Sequence, residues 1–420
     1  MEIARAGDRA LLIQLAPSIA VGELHAAARS VRALEGVLAC IVGHSSLYVV
    51  FDRPPVSVDV DLSSGAAATG SRQHRIGVAF DGADLAEFLA LTKLTRDAFI
   101  RRVADLRLVV RYIGFRGGFA YLDGWPAEWA MPRRPTSRPV RRGSFAIAGA
   151  VAGFYPLDSP GGWNLLGTTN EELEYRFAPG DEIGIEPVSH AGPALQPARP
   201  AESRPYVAGI SAPLMTRIGA PDWTHLHRGM PVGGPFDPNL ASAIRGQELY
   251  EFAQIGPKIT RSGTFAWADL SGVREIHGPA DIGRITKGLR GYLGTTKTEE
   301  RGPRSEDRLT IHTMRGPHDI GISEIECEVT PQLDRVGIRL RPRLKPGLQE
   351  PGLDVPADMP SCGMQFGTLQ LHPDGSIVAM GPEHPVTGGY LQPMTVLWDE
   401  RWKLAHLAPG ERVRFVAQSP

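Results

Sequence analysis

Twice along this chain a hydroxyl residue leads into Gly-Gly-aromatic, and further on a Pro-Gly-acid turn opens a last apolar strand. The first copy reads SPGGW at 159–163 and FAPGDEIGI at 177–185; the second reads VTGGY at 386–390 and LAPGERVRF at 407–415. Proline presets φ and glycine accepts a positive φ, so Pro-Gly before an acidic residue is turn chemistry at a strand entrance. The same two elements in the same order predict a duplicated β unit, one copy in each half. The chain's 48 glycines and 36 prolines are spread along its length, which favours short strands and tight turns over a helical bundle.

Residues 1–70 read as a small α/β domain. ALLIQLA and SLYVVFD are strand-like, and VGELHAAARSVRALEGV between them places Leu24, Ala27, Val31 and Leu34 on one helical stripe with Gly36 as a stop. SSGAAATGSRQ, 63–73, has linker composition. Residues 71–190 form the first β domain, with a helical segment over 84–105 that buries Leu85, Phe88, Leu89, Phe99, Ile100 and Val103. Thr95 is placed to cap its second half. AGPALQPARPAESRP, 191–205, is the linker between the halves, followed by β domains over 206–310 and 311–420. The apolar run FAIAGAVAGFYPL, 145–157, falls short of the ~20 residues a bilayer span needs and reads as core.

A formal net charge of -1 gives no global field for nucleic acid or an anionic membrane. Cys40, Cys327 and Cys362 lie far apart, unlike a disulfide framework or a cysteine zinc site, and fit a cytoplasmic protein. His225 and His227 would share a strand face, but no third ligand stands at a recognisable spacing, so no metal site is expected. GFRGGFAYLDGWP, 114–126, has neither the Lys-Ser/Thr ending of a phosphate loop nor dinucleotide-binding spacing.

The chemistry-bearing candidates surround the two glycine pairs. Gly161-Gly162 and Gly388-Gly389 would form an anion-binding concavity if each pair took an αR–αL turn, with Ser159 or Thr387 adding a hydroxyl and Trp163 or Tyr390 a flat wall. A tight turn or bulge at a barrel corner explains the same glycines. PRRPTSRPVRR, 132–142, offers five arginines to a carboxylate or lies solvated in a loop. Gln370 and His406 are polar residues in β-like runs, and Asp334 and Arg335 would point to opposite faces of one.

GFRGGFAYLDGWP, MPRRPTSRP, GSFAIAGAVAGFYPLDSPGGWNLLGTT and FAPGDEIGIEP resemble the family of the B-type 5-oxoprolinase subunit, also called allophanate hydrolase subunit 1. VTPQLDRVGIRL, GTLQLHPDGSIVAMGPEHPVTGGY and TVLWDERWKLAHLAPGERVRF resemble the C-type 5-oxoprolinase subunit, or allophanate hydrolase subunit 2, in the order of a natural fusion. The resemblance implies a mainly β (α+β) fold of cyclophilin-like β-barrels in tandem behind a small N-terminal α/β domain. It also implies a cleft where the halves meet and a small amide, lactam or ureido substrate. On that reading Tyr121, Arg133 and Ser159 orient the substrate beside Trp163, and the amides of Gly161 and Gly162 hold a carboxylate or oxyanion. Gln370, Thr387, Gly388, Gly389 and Tyr390 contribute from the second half, with His406 and Asp334 as catalytic candidates, His406 as acid or base. The same reading implies that no cofactor is bound in this chain and that ATP or biotin is supplied through a partner, a third 5-oxoprolinase subunit or a carboxylase component. A homo-oligomer stays open. The chain departs from the family pattern: Val151 stands where glutamine is usual, Thr168 where arginine is usual, and Val103 near a usual histidine. These departures keep two alternatives open: a non-catalytic or regulatory binding protein of the histidine-kinase-inhibitor kind, or the same fold put to a different small-molecule reaction.

Overall fold

The computed structural model describes residues 1–55, 71–115, 118–189, 223, 265–269, 272–276, 309–333, 336–343, 359–407 and 409–418. Its N-terminal unit is a four-stranded antiparallel sheet of β1 (Glu2–Arg5), β2 (Ala10–Gln14), β3 (Val37–Val42) and β4 (Ser46–Phe51), in the order β1-β2-β4-β3. Helix α1 (Val21–Arg32) covers one face. Leu24, Ala27 and Val31 are buried as their spacing predicts, but Leu34 lies beyond the helix end and is exposed. The sheet is buried on both sides, which explains the unbroken burial of β4. Leu47, Val49 and Phe51 pack with α1 and Tyr112, whereas Tyr48 and Val50 pack with Cys362, Val386 and Trp398 from the far end of the chain.

The first half continues with β5 (Gln73–Val78), α2 (Leu85–Thr92), α3 (Arg96–Ala104), β6 (Arg107–Gly114), β7 (Phe119–Asp123), β8 (Arg138–Val140), β9 (Ser144–Ala148), β10 (Val151–Phe154), β11 (Ser159–Gly161), β12 (Asn164–Thr168) and β13 (Glu182–Pro187). The segment expected to be helical over 84–105 is two helices, because Lys93 takes a left-handed conformation, φ 55°, at the end of α2. Thr95 caps the second helix through its side chain, which accepts from the Ala98 N–H at 3.2 Å. Leu85, Phe88, Phe99 and Val103 then pack into the barrel core, so the valine at 103 serves packing.

A hairpin of β14 (Phe265–Asp269) and β15 (Gly272–Ile276) precedes the second barrel. That barrel uses β16 (Leu309–Arg315), β17 (Glu324–Leu333), β18 (Gly337–Pro342), β20 (Thr368–Leu371), β21 (Ile377–Met380), β23 (Leu391–Val396) and β24 (Arg412–Ala417). The short strands β19 (Cys362–Gly363) and β22 (Thr387–Gly388) stand apart from it.

The two barrels are copies in topology. The first runs β12-β9-β10-β7-β6-β13-β5, and the second, closed, runs β23-β20-β21-β18-β17-β24-β16. In the first, the Ala79–Thr168 bridge links the outermost strands at the position where β16 and β23 pair in the second. Each copy pairs its final strand in parallel with its first, β13 with β5 and β24 with β16. The Pro-Gly-acid turns match bond for bond. Gly180 N–H donates to Val110 O and Val110 N–H to Asp181 O; Gly410 N–H donates to Val329 O and Val329 N–H to Glu411 O. Just past each of these valines the ladder to the next strand breaks register. Gly180 and Gly410 take φ of 93° and 83°, which an L side chain adopts only with strain. Space around Gly410 is open, so Gly410→Ala isolates the backbone cost. It is expected to lower unfolding free energy by about 1–2 kcal/mol, read from the urea midpoint at unchanged m-value.

Candidate functional site

The first glycine of each pair ends a strand of a two-stranded ladder, β11 against β8 and β22 against β19, and the second follows it. None of the four glycines has a positive φ, so neither pair is the αR–αL nest that its sequence allowed. Glycine is needed for close approach instead. A Cβ on Gly161 would overlap the Tyr155 hydroxyl, and one on Gly388 would sit 2.7 Å from Gln370 Nε2. A Cβ on Gly162 or Gly389 would press on a backbone carbonyl, that of Arg134 or Met359. In each copy the first glycine admits a polar side chain and the second the backbone of a neighbouring loop segment.

Several elements converge between these ladders. The ring of Tyr121, on β7, stacks on Tyr112 at 4.2 Å and meets the edges of Phe119 and Trp163 at 4.9 and 5.5 Å. Thr387, from the second half, packs against Gly114 at the end of β6, and its hydroxyl donates to Ile113 O at 3.4 Å. Tyr112 is tied to the second half through a hydrogen bond with Ser361, and His44 N–H donates to Ser361 O at 2.7 Å. The site is therefore walled by the N-terminal sheet and by both barrels.

Of the five arginines at 132–142, two serve structure. Arg134 and Arg138 both bind the buried carboxylate of Asp84, which also accepts the Leu165 N–H. Burial opposes ionisation of Asp84, but Arg138, the Leu165 amide and Arg134 hold it below the usual carboxylate range. Asp158 is likewise occupied, by the Arg142 N–H at 2.7 Å. Arg133 is different: it is exposed, its guanidinium lies over Gly162, and it has no carboxylate partner among the described residues. Burial raises the Tyr121 phenol pKa, Tyr155 and Tyr390 beside it raise it further, and Arg133 opposes them. Burial also raises Tyr155, against the Trp163 amide that donates to it. Both phenols are neutral hydrogen-bond donors at physiological pH.

Gln370 is 3% exposed, and its Nε2 has no acceptor among the described residues. An unmet buried donor costs about 1–3 kcal/mol, so it marks a place where a ligand or water acceptor belongs. Tyr121, Arg133, Gly161, Gly162, Trp163, Gln370, Thr387, Gly388, Gly389 and Tyr390 are thus brought to one junction. Ser159 sits farther back on the β11 ladder, opposite Val140 and nearly buried. Asp334 lies outside the described residues, as do His225 and His227; His406 closes a 3₁₀ helix, Trp398–His406, and its side chain is not among those described. Tyr112, Tyr155 and His372 line the junction without having been singled out in the sequence. The one signal for Tyr155 was its place just ahead of SPGGW. Among the described residues no trio of His, Cys, Asp or Glu side chains is placed to hold a metal ion, and no helix is long and apolar enough to cross a membrane.

The segment entering VTGGY carries a titration signature. His384 is buried, with Nδ1 2.7 Å from Pro385 O, and burial pushes its pKa down to about 4. The unfolded chain therefore binds the extra proton between about pH 6.5 and 4, and stability falls as pH drops through that window. The expected loss is on the order of 3 kcal/mol, and His384→Gln is expected to flatten it in urea titrations at pH 7, 5.5 and 4.5.

Comparison with known proteins adds the family. The carboxyltransferase domain, subdomains C and D, matches residues 1–177, and the carboxyltransferase domain, subdomains A and B, matches 295–417. The B-type 5-oxoprolinase subunit of Haemophilus influenzae is 30% identical over 187 residues, 41% of this chain and 88% of that protein. Its counterpart in Bacillus subtilis strain 168 is 31% identical over 196 residues, 40% of this chain and 82% of the relative. The crystal structure of TTHA0988 shares the fold with a TM-score of 0.63 at 20% identity, over 98% of this chain and 100% of that one.

Proposed function

Because this chain belongs to the carboxyltransferase-domain family, joining one half like the B-type 5-oxoprolinase subunit to a second like the C-type, we propose that it binds and orients a small carboxylated amide or lactam for a 5-oxoprolinase-type reaction. The observation that carries this reading is a pair of donors on the elements that converge at the junction, Arg133 without a carboxylate and Gln370 without an acceptor among the described residues. A donor-rich, partly dry pocket selects an acceptor-rich ligand. Arg133 takes the carboxylate in a fork, the geometry guanidinium provides and ammonium does not. Tyr121, with its stacking partner Tyr112, provides the wall, and Gln370 reaches the amide carbonyl. Side chains held by packing keep the donors aimed before substrate arrives, which is what polarising a carbonyl requires.

On this reading ATP or carboxybiotin chemistry falls to a partner component, in keeping with the glycine-rich stretch at 114–126, which lacks the Lys-Ser/Thr ending of a phosphate loop. The test has two arms. Calorimetry should detect saturable 5-oxoproline binding by the protein alone, and the protein mixed with a third 5-oxoprolinase component should release glutamate only when ATP is present. Absence of binding by 5-oxoproline, urea and allophanate at millimolar concentration would overturn the reading. Binding without turnover would leave the binding role and remove the enzymatic one.

A further inference from the structure

Gln370 and His372 are two residues apart, at and just beyond the end of β20. The His372 N–H donates to Ser376 O, which extends the strand geometry by one residue, so the two side chains leave the same face. The opposite face, Leu369 and Leu371, points into the barrel core. Both polar side chains meet the VTGGY segment: Gln370 lies against Gly388, and the His372 ring stacks on Tyr390 at 4.2 Å with the planes 13° apart. Both also hold a buried nitrogen without a partner among the described residues, Nε2 in each case. Two orphaned nitrogens on one strand face, against one segment, form a readable pair.

We propose that Gln370 and His372 are a specificity pair for the cis edge of an amide: Gln370 donates to the carbonyl oxygen and His372 Nε2 accepts the adjacent N–H. A lactam or cyclic ureide presents that donor and acceptor side by side, because its ring holds the amide cis, whereas an open-chain secondary amide sets them on opposite sides. This deepens the reading above and rests on it, since it assigns the amide end of a ligand whose carboxylate goes to Arg133. The charged groups facing His372 are Arg339 on β18 and Asp374 in the turn after β20, with Tyr390 stacked over the ring. Burial and Arg339 lower the His372 pKa against Asp374, so the imidazole is neutral at physiological pH and free to accept.

The probe pair is 5-oxoproline and its lactone counterpart, in which ring oxygen replaces the N–H. Wild-type protein is expected to prefer the lactam about tenfold by calorimetry at pH 7. His372→Phe keeps a flat ring on Tyr390 but removes the acceptor, so the preference should collapse to about twofold. In wild type the lactam-to-lactone ratio should also fall as pH drops and the imidazole becomes a donor, a change that a purely structural histidine would not produce. A ratio unmoved by both the variant and pH overturns the pair while leaving the 5-oxoproline site standing. Failure of wild type to bind either compound overturns the proposed function, and the pair with it.

Discussion

Gly114→Ala is expected to destabilise the protein by about 2–3 kcal/mol, read from the urea midpoint, and to do so by prising the two halves apart. The new methyl would overlap the Thr387 hydroxyl and lie 3.1 Å from Thr387 Cβ and 3.5 Å from Tyr121 Cε2. Neither neighbour can retreat freely: Thr387 is fixed in the β22–β19 ladder and Tyr121 is stacked on Tyr112. Thr387→Ala alone should cost less than Gly114→Ala, since it gives up one long hydrogen bond to Ile113 O. The double variant should be more stable than Gly114→Ala, with a coupling of about 1 kcal/mol or more, because the second change removes the atom the first collides with. Simple additivity of the two would mean that the halves do not meet at this point. Gly22→Ala serves as the control, for nothing lies within 4 Å of a Cβ there and helix α1 gains a better helix former. It should stabilise by a few tenths to about 1 kcal/mol.

Gly114 was not legible as a junction residue, and the reason is general to this fold. The duplication could be read from the chain because Pro-Gly-acid turns depend on backbone geometry that few residues can adopt, and Gly180 and Gly410 do sit at positive φ. The glycine pairs were also visible, but their role was not: a string of residues does not distinguish a glycine that bends from one that yields space. What they yield space to, Tyr155 and Gln370, is set by how strands stack. The arginine run was similarly half legible. Which of its members is available to a ligand depends on Asp84, far upstream, which takes Arg134 and Arg138 and leaves Arg133. His372 sits in HPDG, a hairpin-turn sequence, and only the stacking on Tyr390 reveals it as part of the junction. The break between α2 and α3 came from one left-handed residue, Lys93, a position no periodicity marks.

Arg133→Met should weaken 5-oxoproline binding by about 10- to 100-fold while leaving the urea midpoint unchanged, whereas Arg134→Met should do the reverse. The two residues are adjacent in sequence and have the same charge, so net-charge effects cancel between the variants. Arg133 has no carboxylate partner among the described residues and is exposed, so its removal leaves no buried group stranded. A charge-assisted contact to a ligand carboxylate contributes about 1.5–3 kcal/mol, which sets the expected fold-change. Arg134 binds Asp84 at 2.6 Å and Glu87 at 2.6 Å, and its loss leaves the 5%-exposed Asp84 carboxylate to Arg138 and the Leu165 amide. With its guanidinium only partly buried, the cost should be on the order of 1 kcal/mol. Arg133→Lys then separates fork geometry from charge: an ammonium restores the charge but not the paired N–H donors, so affinity should recover only in part. Full recovery with lysine would mean that Arg133 acts as a point charge at the mouth of the site. Unchanged affinity in Arg133→Met would move the carboxylate elsewhere and leave the proposed orientation without its anchor.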